Sequence, residues 1–447
     1  MTLKGLLRIL LLFCGYVLLI GGIYSGLVIV TGGFTLIDTL LMCALPIFVI
    51  YAFFLYPVIM IAMVRLHRMR KGKLWILPII LGVLVLSFCI LPFTGIPQTI
   101  KEGDTQFAAT FGANYMDNIP VALKSKFQAA PFNFWKMYNN NDAFNCNVTK
   151  NCGPYLTVPG YNDSFYFDYY CPPSGVGPFP TIINIHGGAW VLGNKGMENR
   201  LMASRYLAQQ GYVVLDIQYG LGSFPEDSFV NDLLGTVQSL LGREMLNKSY
   251  TLSEIAVQVL GNFTDYIAAH ALEYKINTSC VYVTGNSAGA HLTGLFLGYN
   301  TTYKNIFNHA LQLKGLILFY CPSNLTDLFE MAVTDPLGKM VNIRSYITKI
   351  FGGTPEDNAT LLNMLSPALL VNKWSPPCLI LHGEKDKLVP YVEALQLKTQ
   401  LDANSIQNIL LSFPFQGHAF DYSFNSPGGQ ISLYYFERFL AATQYCI

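Results

Sequence analysis

The stretch that decides the fold is Cys280-Val281-Tyr282-Val283-Thr284, followed at once by Gly285-Asn286-Ser287-Ala288-Gly289. The first five residues read as a buried β-strand. Helical spacing resumes over Ala288–Leu297. A strand that turns at once into a helix needs a tight backbone and close packing, which the two glycines permit. Such a turn lifts the Ser287 hydroxyl above the sheet, and the helix start aims the Ala288 N–H at any negative charge developing beside it.

Working outward, a second signal lies upstream. His186-Gly187-Gly188-Ala189-Trp190 follows the strand pattern Thr181–His186. Small residues in succession let several backbone N–H groups point into one space. Gly188, Ala189 and Ala288 are therefore the expected oxyanion donors, with Gly187 permitting the turn. Downstream, Leu381-His382-Gly383-Glu384-Lys385-Asp386 follows one strand pattern and Gln416-Gly417-His418-Ala419-Phe420 follows another. A serine nucleophile needs a base and an acid that orients the base. Ser287, Asp386 and His418 occur in the chain order this fold requires. Glu384 is a rival acid, closer to its strand. His382 reads as a structural hydrogen-bonder at a strand end and His291 as packed beyond the turn. His270, His309 and His67 have no partners in the sequence pattern. No spacing of His, Cys and carboxylates suggests a metal site, and no cofactor is expected.

The flanking pattern sets the fold class. Strand candidates are Thr181–His186, Tyr212–Gln218, Cys280–Thr284, Gly315–Tyr320, Cys378–His382 and Asn408–Phe413. They are apolar without alternation, as in a parallel sheet covered on both faces. Helix candidates lie near Met197–Gln210, Ser228–Leu241, Leu252–Tyr274, Ala288–Leu297, Val392–Leu401 and Gln430–Thr443. Alternation of strand and helix over residues 132–447 predicts an α/β fold, mostly parallel, with helices on both faces. A helix-rich stretch at about 322–374 interrupts it and reads as an inserted cap.

The front of the chain is different. Ile9–Val30, Leu40–Val64 and Leu74–Phe93 contain no charged side chain, and only 12% of the 447 residues are charged. Three such runs predict three transmembrane helices, about 9–30, 40–64 and 74–93, in a membrane domain of residues 1–95. Residues 96–131 read as a tether. Lys4 and Arg8 precede the first span, and Arg65, Arg68, Arg70, Lys71 and Lys73 crowd the second loop. Basic loops stay cytosolic, which puts the catalytic domain on the luminal or extracellular side of an endomembrane or the plasma membrane. Sequons at Asn147, Asn162, Asn247, Asn262, Asn277, Asn300, Asn324 and Asn358 all lie beyond the third span and are candidate glycosylation sites. Seven of the ten cysteines lie there too. Cys146 and Cys152, in an Asn-rich loop, could pair. Cys280, Cys321 and Cys378 read as buried thiols. A net charge of +1 gives no case for nucleic acid.

The motifs His186–Trp190, Gly285–His291, Asp386–Pro390 and Gly417–Phe420 resemble the α/β-hydrolase superfamily, in its esterase branch with an HGG oxyanion loop. Asp216-Ile217-Gln218-Tyr219 is similar to that branch's Asp-Tyr-Arg stretch, without the Arg. Within the branch the likeness is to prenylcysteine methylesterases, feruloyl/acetyl-xylan esterases and kynurenine formamidases, although Asn286 departs from the methylesterases' usual Gln. The resemblance covers roughly residues 132–447. It implies a serine hydrolase that cleaves a carboxylic ester, and the three expected spans with the tether put it at a lipid bilayer, where a small-molecule or lipophilic ester is the expected substrate. An amidase or formamidase on the same triad, and a non-enzymatic binding protein on a hydrolase scaffold, are the alternatives.

Overall fold

The computed structural model describes residues 3–33, 35–68, 73–138, 143–161, 163–223, 248–334 and 343–446. Three long helices come first: α1 (Leu3–Thr31), α2 (Leu36–Arg68) and α3 (Ile76–Thr94). Each offers a segment long and apolar enough to cross a membrane. Small residues bring them close. Gly22 lies against Tyr56 and Val85, and Gly26 against Phe88, four residues apart on one face of α1. The opposite face leaves Leu6, Leu10, Phe13, Val17 and Ile20 exposed.

The expected tether is instead a docked helix, α4 (Ile96–Phe111), which follows α3 with only Gly95 between them. It lies along the last strand of the sheet. Gln106 donates to the Leu410 carbonyl and accepts from the Leu410 N–H, at 2.7 and 2.9 Å. Thr99 donates to the Ser412 carbonyl at 2.7 Å. An edge strand presents unpaired backbone groups, and α4 satisfies them. Phe107 is fully buried beside Tyr435. Charge and amide side chains on the outward face made this amphipathic helix look like a polar linker.

Among the described residues the sheet has eight strands in the order β1-β2-β4-β3-β5-β6-β7-β8. They are β1 (Asn147–Thr157), β2 (Ser164–Cys171), β3 (Phe179–Ile185), β4 (Val213–Ile217), β5 (Ile276–Asn286), β6 (Leu313–Phe319), β7 (Cys378–Gly383) and β8 (Asn408–Phe413). From β4 to β8 all pairings are parallel, while β1 and β2 add antiparallel at one edge. Neighbouring residues of one strand serve opposite cores. Ile183, Leu215, Val283, Leu318 and Ile380 pack on one face, and Ile182, Val214, Tyr282, Ile317 and Leu379 on the other. Both faces are apolar, so the strands read as continuous runs.

Helices α5 (Glu198–Gln210), α6 (Gly261–Ala269), α7 (Ala288–Gly294), α8 (Leu325–Thr334), α9 (Ile343–Phe351), α10 (Pro355–Met364), α11 (Val392–Ala403) and α12 (Pro427–Tyr445) complete the domain. Of these, α8, α9 and α10 form the insertion expected at about 322–374. The helix expected at Ser228–Leu241 lies outside the described residues.

Strands β1 and β2 are additions to the sequence reading. Cys146 and Cys152 are free thiols rather than a pair. Cys146 immediately precedes β1 and Cys152 lies within it, on an extended strand and not in a loop. Cys280, Cys321 and Cys378 are buried thiols, as expected.

If α4 is part of the fold, removing its contacts must destabilise the whole domain. Phe107→Ala should cost about 3–5 kcal/mol, and Gln106→Ala about 1–3 kcal/mol by stranding the Leu410 amide and carbonyl. Denaturant unfolding of the full chain in detergent measures both. Wild-type midpoints in both variants would mean that α4 is a loose connection.

Candidate active site

Parallel strands end on one edge, and that edge gathers the candidate residues. Ser287, after β5, has φ 53° and ψ −122°, a conformation that costs a non-glycine residue of order 1–3 kcal/mol. The glycines around it make room. A Cβ at Gly285 would strike the backbone of Gly289, and one at Gly289 would strike the carbonyls of Ile185 and His186. The turn is fixed from the neighbouring strand, since the Ser287 N–H donates to the Phe319 carbonyl at 2.9 Å.

His418 lies in the loop after β8. Its Nε2 is 3.0 Å from Ser287 Oγ and its Nδ1 is 2.7 Å from Asp386 Oδ2. Asp386 follows β7, and its other oxygen accepts the N–H groups of Leu388 and Val389, both at 2.9 Å. Burial alone would raise the Asp386 pKa, but the imidazoles of His418 and His382 outweigh it and hold the carboxyl well below its usual range. Glu384 makes no such bond to His418, and burial pushes its pKa up. The two loops meet closely, because a Cβ at Gly383 would lie 2.5 Å from the Gln416 carbonyl. His382 bonds the Val389 carbonyl at 2.8 Å and stands 3.5 Å from Asp386, a second imidazole on the same carboxylate that the sequence pattern did not reveal.

The loop after β3 folds beside the elbow. Gly187 lies against Asn286, and a Cβ there would be 2.7 Å from the Asn286 carbonyl. Gly188, Ala189 and Trp190 have φ of 124°, 49° and 62°. Among the described residues the N–H groups of Gly188, Ala189 and Ala288 have no backbone acceptor. The stretch after β4 holds this loop. Asp216 accepts from the Gly196 N–H at 2.6 Å and from Asn184 at 2.8 Å, and Tyr219 stacks on His186 while donating to its carbonyl. Burial pushes the Asp216 carboxyl up to about 6, against the pull of those two donors.

Trp190 and His291, the last residues of the two motifs, are bonded to each other. Trp190 Nε1 donates to His291 Nδ1 at 3.3 Å, and His291 Nε2 lies 2.8 Å from the Leu365 carbonyl. His291 thus links the oxyanion loop to the end of the insertion, and Tyr346 of α9 adds a bond to the Ala189 carbonyl. Donation to Leu365 and acceptance from Trp190 require a neutral ring.

The fold is that of the α/β hydrolases. A family model described as BD-FAE matches residues 167–232 and 256–401. A probable carboxylic ester hydrolase, LipM, of Mycobacterium tuberculosis is 26% identical over 262 residues, covering 55% of this chain and 50% of its own. A probable isoprenylcysteine alpha-carbonyl methylesterase, ICMEL1, of Arabidopsis thaliana is 23% identical over 234 residues, covering 50% and 42%. The chain spans about half the length of the curated relatives it matches. Among solved structures, esterase B of Lactobacillus rhamnosis shares the fold, with a TM-score of 0.51 and 19% identity over 69% of this chain and 90% of that one. The family model and these relatives support an α/β-hydrolase esterase family, and the solved structure shares the fold.

The His291 bridge predicts an acid sensitivity. Burial lowers the pKa of this ring to about 4. Below the ordinary histidine value the unfolded chain takes up a proton that the folded chain refuses. Stability tied to His291 is therefore complete above about pH 6.5 and falls away between there and pH 4, by about 3 kcal/mol in total. Unfolding midpoints measured from pH 7 to 4 should show His291→Leu less stable at pH 7 but with a flatter slope. Parallel slopes for the two proteins would contradict the assignment.

Proposed function

We propose that this protein is a membrane-anchored serine hydrolase that cleaves a carboxylic ester through an acyl-enzyme intermediate. The observation that carries the reading is His418, within hydrogen-bond distance of Ser287 on one side and Asp386 on the other. In this reading the Ser287 oxygen attacks the ester carbonyl while His418 Nε2 takes its proton. The charge moving onto the carbonyl oxygen is met by the N–H groups of Gly188, Ala189 and Ala288. The C–O bond to the alcohol then breaks, and His418 returns the proton to the leaving oxygen. A water enters with His418 as base, and the acid leaves with Ser287 restored. Asp386 stays ionised, fixes the His418 tautomer and stabilises the imidazolium.

The three long helices are the membrane anchor in this proposal, with the catalytic domain luminal or extracellular. Two features support that side. The basic residues Arg65 and Arg68 sit at the far end of α2 from its start. The connection between α1 and α2 and the first turns of α2 touch the catalytic domain: Gly32 lies against the Lys385 carbonyl and Lys387, and Met42 of α2 against Gly417. The loops carrying Asp386 and His418 therefore rest on the ends of the apolar helices, which favours esters that partition into a bilayer. Of the candidate glycosylation sites, Asn147, Asn262 and Asn300 are exposed, whereas Asn324 is half-buried with its amide on Asp327. Asn162 and Asn247 lie outside the described residues.

Replacing Ser287 or His418 by Ala should lower kcat by about 10⁴-fold or more, with Asp386→Asn costing somewhat less. A fluorophosphonate should label the wild type and not Ser287→Ala. Wild-type turnover in Ser287→Ala would end the proposal. Sidedness is tested in sealed microsomes, where glycans should appear on Asn147, Asn262 and Asn300 before Asn324. An unglycosylated domain digested from the cytosolic side would reverse the topology.

A further inference from the structure

The end of β6 carries a side chain that the triad does not use. Tyr320 is fully buried and adopts φ 40°, a region where a bulky residue is an outlier. That backbone is held on both sides. The Tyr320 N–H donates to the Leu381 carbonyl at 2.7 Å, and the preceding Phe319 carbonyl takes the Ser287 N–H. The unusual φ aims the ring at His418, with centroids 4.5 Å apart and planes at 57°.

The far end of the ring is fixed as firmly. Tyr320 Oη donates to Asp421 Oδ1 at 2.7 Å and accepts from Asn286 Nδ2 at 3.3 Å. Asp421 lies three residues after His418, and Asn286 immediately precedes Ser287. Arg200 of α5 holds the other oxygen of Asp421 at 3.4 Å while lying over the Phe319 ring. Arg200 and Asp421 are each about 95% buried. Ions so far from water persist only when paired. Burial and the Asp421 charge raise the Tyr320 pKa well above its ordinary value, so the hydroxyl remains a donor.

We infer that Tyr320 is a positioning residue for the proposed reaction: its ring sets the orientation of His418, and its hydroxyl, held by Asp421 and Arg200, ties that orientation to the elbow through Asn286. The inference rests on the reading of Ser287 and His418 given above. Asp386 holds one edge of the imidazole but leaves its faces free, and Tyr320 packs against the ring. Asn286 thereby has a part of its own, as the link between the nucleophile's turn and the loop of the base.

The test uses the full chain in detergent, with a short-chain p-nitrophenyl ester as probe and active sites titrated by fluorophosphonate. Tyr320→Leu removes the ring and should lower kcat on the order of 10²-fold, since a base displaced by about 1 Å costs that much. KM should stay within about 3-fold, because no contact to the ester is removed. Tyr320→Phe restores the ring and should recover most of the loss. If Tyr320→Leu does not fold, Asp421→Asn decides, with an expected fall in kcat of about 10-fold at unchanged KM. A Tyr320→Leu or Asp421→Asn protein with wild-type kcat per titrated site would overturn the inference, as would a Tyr320→Phe protein as impaired as Tyr320→Leu. Ser287→Ala is measured alongside. Turnover surviving in that variant would remove the triad reading itself, whereas an inactive Ser287→Ala beside a fully active Tyr320→Leu would remove only the role of Tyr320.

Discussion

Parallel pairing from β4 to β8 is the constraint on which the rest of the molecule depends. A parallel ladder requires each strand to be entered from the same end, so every strand also finishes on the same edge. Loops after β3, β5, β7 and β8 are therefore neighbours in space whatever their separation in the chain. Ser287 and His418 stand 131 residues apart and meet at 3.0 Å. Apolar side chains on both faces of the sheet hold that edge in place.

The edge is also where backbone strain collects. Ser287, Tyr320, Ala189, Trp190 and Ala419 all have positive φ without being glycine. Each lies just beyond a parallel strand, in the oxyanion loop or in the loop of His418. Such conformations persist when the surroundings over-determine them. Here the surroundings are bonds between adjacent loops: Ser287 to Phe319, Tyr320 to Leu381, Trp190 to His291 and Tyr346 to Ala189. The motif residues that do no chemistry in the proposed reaction, Trp190 and His291, are spent on this bracing.

The far edge of the sheet shows a second constraint. Strand β8 would present bare amides and carbonyls, and α4 covers them with Gln106 and Thr99. Only Gly95 separates α4 from α3, and Gly95 itself lies against Pro414, so the apolar helices pack directly on the start of the loop that carries His418. The apolar bundle and the hydrolase domain are thus one packed body at this junction.

Much of this was legible in the sequence because it is written in local pattern. Apolar runs marked the strands β3 to β8, with Cys378 and Asn408 as strand starts, and the glycines of Gly285–Gly289 marked a turn that only small residues allow. Strand β1 escaped because it is an edge strand, exposed along most of its length, and β2, although largely buried between β1 and β4, escaped because Asp168 interrupts its apolar run. The amphipathic α4 escaped because half of it faces water. Order along the chain was enough to name Ser287, Asp386 and His418, and composition alone marked three long apolar helices. Tertiary structure alone decided that His382 shares the Asp386 carboxylate, and that Tyr320, Asp421 and Arg200 reach the site from three separate elements. Local pattern records which face of an element is buried. Which side chains then meet depends on strand order and register, and those follow from packing the whole sheet at once.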